Sequence, residues 1–148
     1  MTIMRVGFFQ FAPIFGDVSH NLDKVVGTLD QADADLIVLP ELFASGYQFV
    51  SRQEVTALSE SIPDGPTTQR LIDLAKRRRM VIVAGLPERA GNACYNSAVV
   101  VGPSGFIGCY RKTHLFFEET LFFTPGDTGF QVWDIGAAKI GVMICFDW

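Results

Sequence analysis

Apolar positions along the chain fall into two kinds of run, and each kind predicts an element. Short continuous runs read as strands buried on both faces: RVGFFQFAP at 5–13, LIVLP at 36–40 and VIVA at 81–84. Between the first two, Leu22, Val25, Val26 and Leu29 recur at helical spacing behind Ser19, a residue type that caps helices. A weak helix is predicted near 53–59, a turn at Pro63-Asp64-Gly65-Pro66, and a firmer helix over 67–79 that buries Leu71, Ile72, Leu74 and Ala75. Strands then dominate, at 97–101, 106–110, 130–135 and 140–144. The stretch NSAVVVGPSGFIGCYRK reads as two strands joined by a tight turn at Pro103-Ser104-Gly105. Pairing Gly102 with Gly105 sets Cys109 opposite Ala98 and Cys94 beyond the paired region, so no disulfide between them is expected. The order β-α-β-α-β followed by paired strands predicts an α/β fold with a mixed sheet and helices on one face. The second face must be covered too, because the strands are apolar on both sides.

Composition narrows the function more than the fold. The 148 residues suit one domain, and no linker, repeat or low-complexity segment divides positions 1–148. A net charge of -4 argues against binding to nucleic acid or to anionic membranes. No apolar stretch approaches a spanning length. The N-terminal apolar run is interrupted by Gln10 and Pro13, which fits a first core strand better than a secretion signal. The cytosol is the expected location, and the three cysteines, without a C-x-x-C pair, suit it as reduced thiols.

Three strand ends carry candidate chemistry, each with a plain structural alternative. Cys145 follows KIGVMI and meets a sharp turn, where a nucleophile is exposed and the next N–H can face an oxyanion; it also reads as a small buried core residue. Glu41 follows LIVLP, well placed for a partly desolvated general base, or simply leaves the sheet for solvent. Lys112 ends the strand before THLFF, where it could hold an oxyanion and depress a thiol pKa, or be a surface lysine. The segment 113–124 is unusually aromatic for a loop and should line a pocket or pack under a lid; of its Glu118 and Glu119, one is expected to be buried. Of the two histidines, His114 is the better placed for a Cys–His pair, but a structural role bonding nearby backbone suits it better. Metal-ligand clusters and nucleotide-binding loops are absent from the sequence. The basic run Lys76-Arg77-Arg78-Arg79 closes a helix, where cations complement the dipole.

Together, PELFASGY, YRKTHLF and GVMICFDW resemble, in order and spacing, the Glu-Lys-Cys triad of the carbon–nitrogen hydrolase (nitrilase) superfamily, and YNSAVVVGPSG is also typical of it. The resemblance implies a nitrilase-type α-β-β-α sandwich, of which this chain would supply about the first half, ending just after the nucleophile strand. Such a half-domain would expose edges and apolar faces, so alone it is expected to aggregate or associate. The resemblance assigns Glu41 as general base, Lys112 as stabiliser of the tetrahedral intermediate and Cys145 as nucleophile. It also gives the second loop glutamate's role to Glu119 and an oxyanion contact to the backbone N–H of Phe146. It implies a thiol amidase working by two-step acyl transfer without metal or organic cofactor, on a small amide or alternatively a nitrile. Phe146-Asp147-Trp148 after the cysteine favours the amide. The complete protein is expected to be a homo-oligomer, a dimer or larger. A catalytically inactive half-domain serving as an interaction module, and a redox-sensing Cys145, are the competing readings.

Overall fold

Five strands in the order β1-β2-β3-β4-β5 form the central sheet of the computed structural model, which describes residues 3–148. β1 (Val6–Phe8), β2 (Leu36–Val38) and β3 (Val81–Ala90) run parallel, with Val6 beside Leu36 and Leu36 beside Val81. Parallel neighbours need crossovers. Helix α1 (Val18–Leu29) makes the first, and α2 (Arg52–Leu58) and α3 (Pro66–Arg78) make the second. β4 (Ala93–Gly102) and β5 (Gly105–Arg111) then fold back antiparallel. After a short helix α4 (Glu119–Phe122), β6 (Val132–Asp134) and β7 (Lys139–Gly141) pair as a separate ribbon, and the chain closes in a 3₁₀ turn at Cys145–Asp147.

The two faces of the sheet hold separate cores. On one, α1 and α3 press Val25, Leu29, Leu71 and Leu74 onto Ile82, Ala84 and Val99. Full burial of each such side chain is worth roughly 1.5–3 kcal/mol. On the other, Val83, Ala98, Val100 and Tyr110 meet Val142 and Ile144, with Trp133 and Ile140 of the ribbon packed against them. The ribbon thus supplies cover for the second face, but only over part of it. Val6 and Phe8 of β1, predicted to be buried, are 64% and 80% exposed, and Val38 beside them is half-open. Nothing among the described residues lies over them.

Other departures from the predicted pattern are local. The cap of α1 is Asp17, not Ser19: the Asp17 carboxylate accepts the His20 N–H at 3.1 Å. α3 begins at Pro66, whose missing N–H costs nothing at the first helical position. β3 and β4 each run ten residues, longer than their apolar stretches, because Glu88, Asn96 and Ser97 stay in the ladder as buried polar groups. A bulge between Val100 and Val101 shifts the hairpin by one residue, so Cys109 faces Val99 rather than Ala98. Cys94 and Cys109 are free thiols. β7 stops at Gly141, so residues 142–144 carry the chain to Cys145 outside a ladder. No helix among the described residues is long and apolar enough to cross a membrane.

Candidate active site

Strand direction brings the first two candidate residues together. β2 is parallel to β3, and two antiparallel steps make β5 parallel to both. The residues that follow β2 and β5, Glu41 and Lys112, therefore emerge at the same end of the sheet. Glu41 opens a tight turn at 41–45 that rests on β3: the Phe43 N–H donates to the Gly85 carbonyl at 2.9 Å. A Cβ on Gly85 would lie 2.7 Å from both the Glu41 Cα and the Leu42 nitrogen, so only glycine lets this backbone approach. From the far side, the buried Asn21 of α1 donates to the Ala44 carbonyl at 2.8 Å and ties the turn to the helix layer.

Lys112 is 1% exposed and lies between two carboxylates. Its Nζ donates to Glu41 Oε1 and to Glu119 Oε1, each at 2.8 Å. The two carboxylates differ in how far they are occupied. Glu119 is buried, and its Oε1 also accepts from the Tyr47 hydroxyl at 2.7 Å while its Oε2 accepts the Phe116 N–H at 2.7 Å. Glu41 takes both of its bonds on Oε1, from Lys112 and from the Asn96 amide at 2.6 Å. Its Oε2 accepts none from the described residues. Burial pushes the Glu41 carboxyl above its ordinary value and outweighs the opposing hydrogen bonds from Lys112 and Asn96. For Lys112, burial works against the ammonium, but the bonds to Glu119 and Glu41 win and the pKa rises. Lys112 is thus a retained cation, and Glu41 a carboxylate drawn toward accepting a proton.

Cys145 is exposed and sits at φ +48° in the 3₁₀ turn. It lines a cleft of about 130 Å³ together with Glu41, Gly85, Ala98 and Ile144. The turn is anchored by Asp147, which is buried and accepts from the Ile144 N–H, the Tyr110 hydroxyl and the His114 N–H at 2.9, 2.7 and 2.9 Å. These bonds, acting against burial, hold the Asp147 carboxyl below its usual range. The His114 ring meets the same carboxylate at 3.2 Å, so this histidine bonds a side chain of the turn and not the nearby backbone expected for it. Left-handed backbone is uncommon for non-glycine residues. Beside the αL helix cap at Arg79 it occurs at Leu42, Phe117 and Cys145, in the three segments that build the site. Phe146, half-exposed, turns its ring toward Phe116 at 5.2 Å.

The aromatic loop lines a second cavity, of about 220 Å³, between Tyr47, Phe49 and Val50 on one wall and Phe116, Phe117 and Phe122 on the other, with Glu119 reaching into it. Of the two loop glutamates, Glu119 is buried and Glu118 is exposed. Asn96, Tyr47 and Asp147 are the contributors that pattern reading missed. Asn96 left one signal, an amide two positions ahead of the apolar run AVVV. Among the described residues, no group of three or more His, Cys, Asp or Glu side chains is placed to hold a metal ion.

Residues 5–148 match the family model described as carbon-nitrogen hydrolase. A nitrilase of Pyrococcus abyssi is 49% identical over 99% of this chain and 57% of its own length. An N-carbamoylputrescine amidase of Solanum lycopersicum is 37% identical over 98% of this chain and 51% of its own. Among solved structures, a CN-hydrolase superfamily protein of Xanthomonas campestris, with an arsenic adduct in its active site, superposes with a TM-score of 0.89 at 25% identity, over 99% of this chain and 55% of that one. The chain spans about half the length of the curated relatives it matches.

Proposed function

The chain belongs to the carbon–nitrogen hydrolase family, and from that premise we propose that the complete protein hydrolyses a small amide through a thioester on Cys145. The observation that carries the reading is the unequal occupancy of the two carboxylates around buried Lys112. Both oxygens of Glu119 accept hydrogen bonds, while Glu41, which lines the cleft with Cys145, takes its bonds on Oε1 and none on Oε2 from the described residues. In this reading Glu41 accepts the thiol proton, and the sulfur attacks the amide carbon. Lys112 and the Phe146 N–H hold the charge that develops on the carbonyl oxygen. Protonated Glu41 returns its proton to the departing nitrogen, and ammonia or an amine leaves behind the thioester. Glu41 then deprotonates a water that attacks the thioester, releasing the acid and restoring the thiol. Glu119 takes no proton; it keeps Lys112 charged and in place.

A nitrile is the second substrate reading, favoured by the name of the 49% identical relative. Trapping separates both readings from an inert protein. Mixing the complete protein with an amide and quenching early should add the acyl mass to the peptide bearing Cys145, with ammonia released at the matching rate. Cys145→Ala, a small change in volume at an exposed position, should fold normally and neither acylate nor turn over. Turnover by that purified variant would remove the thiol from the mechanism.

A further inference from the structure

Asn96 stands at the centre of the charged cluster, and no step above uses it. It is 1% exposed, and its Nδ2 reaches both carboxylates, at 2.6 Å to Glu41 Oε1 and 3.5 Å to Glu119 Oε1. Its Oδ1 is buried and has no hydrogen-bond partner, the one such buried side-chain atom among the described residues. Unpaired buried acceptors are rare because they lose water and gain nothing in return. A carboxamide can normally relieve this by flipping. Here a flip would point Oδ1 at two carboxylate oxygens and remove the donor, so the carboxylates dictate its orientation. The side chain also has little freedom to move away, because Asn96 lies inside β4 and its backbone carbonyl accepts the Lys112 N–H at 2.8 Å.

We propose that Asn96 is a positioning residue that selects the proton-accepting oxygen of Glu41, holding Oε1 jointly with Lys112 so that Oε2 is the oxygen left for the thiol. Two donors on one oxygen fix the rotation of the carboxyl group, which a single flexible ammonium could not do. The orphaned Oδ1 is then the local sacrifice that this orientation requires. Asn96 also favours the ionised form of Glu41. The other titratable groups around Glu41 are Lys112 and Glu119 within the cluster, Tyr47 on Glu119, and Cys145 across the cleft. The inference rests on the reading of Glu41 as the base.

The test is a pH profile of Asn96→Ala and of the near-isosteric Asn96→Asp in the complete protein, with a thermal melt of each. Asn96→Ala should lower kcat by about tenfold or more, the scale of one lost charge-assisted hydrogen bond, with KM changed by less than about threefold. The acid limb of kcat/KM should move to higher pH, because ionised Glu41 has lost a donor. Asn96→Asp should move the limb the same way and further, since it sets a third carboxyl against the other two. It carries the test if Asn96→Ala does not fold. An acid limb that stays in place, with the loss confined to KM or to the melting temperature, would mean that Asn96 only packs. Glu41→Gln keeps the two failures apart. An active Glu41→Gln overturns the base reading itself, whereas an inactive one beside an unmoved Asn96 limb overturns this inference alone.

Discussion

Replacing Lys112 by methionine keeps most of the buried stem and removes the charge, so it isolates what the ammonium does. Two consequences follow from the geometry. The first is stability. Glu41 and Glu119 both bond the same Nζ at 2.8 Å, and removing one partner of a buried ionic group typically costs about 3–5 kcal/mol, because the remaining charges are left without compensation. Against a domain stability of about 5–15 kcal/mol that is a large share, and it corresponds to a melting point lower by roughly 10 °C. The second is chemistry. In the proposed mechanism, losing one donor to a developing oxyanion costs about a hundredfold to a thousandfold in kcat, and Glu41, its pKa raised further without the counter-charge, is less often ionised and free to take the thiol proton. The two effects separate by pH. The carboxyl of Glu41 already lies above 4.5 in the fold, and losing Lys112 raises it further. The stability deficit should therefore be complete above that raised pKa and shrink as pH falls toward 4.5, because the folded carboxyl then becomes protonated in parent and variant alike. Turnover should not recover over the same range. The assay is ammonia release with parallel melts from neutral pH to about 4.5, with Lys76→Ala, on the exposed face of α3, as the near-neutral control. A folded Lys112→Met variant with kcat within a few fold of the parent would show that the Lys112 ammonium holds no charge developing on the substrate.

Gly85→Ala should fold but lose activity: its methyl would need the Glu41 turn to withdraw, which costs about 1–3 kcal/mol in overpacking, and a displacement near 1 Å costs about a hundredfold in rate; activity near that of the parent would show that the turn has slack. Glu41→Gln should abolish turnover yet melt at or above the parent at neutral pH. Since burial raises the Glu41 pKa, its favourable contribution exists below 4.5 and is lost as pH rises through the raised value, so the gap between variant and parent should close on acidification. A lower melt at neutral pH with no closing of the gap would show that the ionised carboxylate stabilises the fold.

Much of this architecture was legible along the chain. Leu22, Val25 and Leu29 at helical spacing, and the apolar runs at 36–40 and 81–84, carry their partners' geometry in their own periodicity, because burial of one face is a local demand on a helix or strand. The placement of Glu41, Lys112 and Cys145 just beyond apolar runs was legible for the same reason. What escaped was whatever depends on neighbours far along the chain. A single bulged residue moved Cys109 from Ala98 to Val99, and hydrophobic pattern cannot register a slip between two equally apolar facing positions. Val6 and Phe8 are as apolar as buried strands require, yet they stand exposed, since exposure depends on what lies above a sheet face. The division of labour between the carboxylates is the sharpest case. Glu41 and Glu119 are the same residue type beside similar apolar sequence, and both touch Lys112. Only the fold sets Tyr47 and the Phe116 N–H on one, and Asn96 on a single oxygen of the other. Sequence determined which groups could carry charge at the ends of strands. Tertiary structure decided which of them share a desolvated space and which oxygen stays open, because hydrogen-bond saturation is a property of the assembled neighbourhood and has no signature in any one segment.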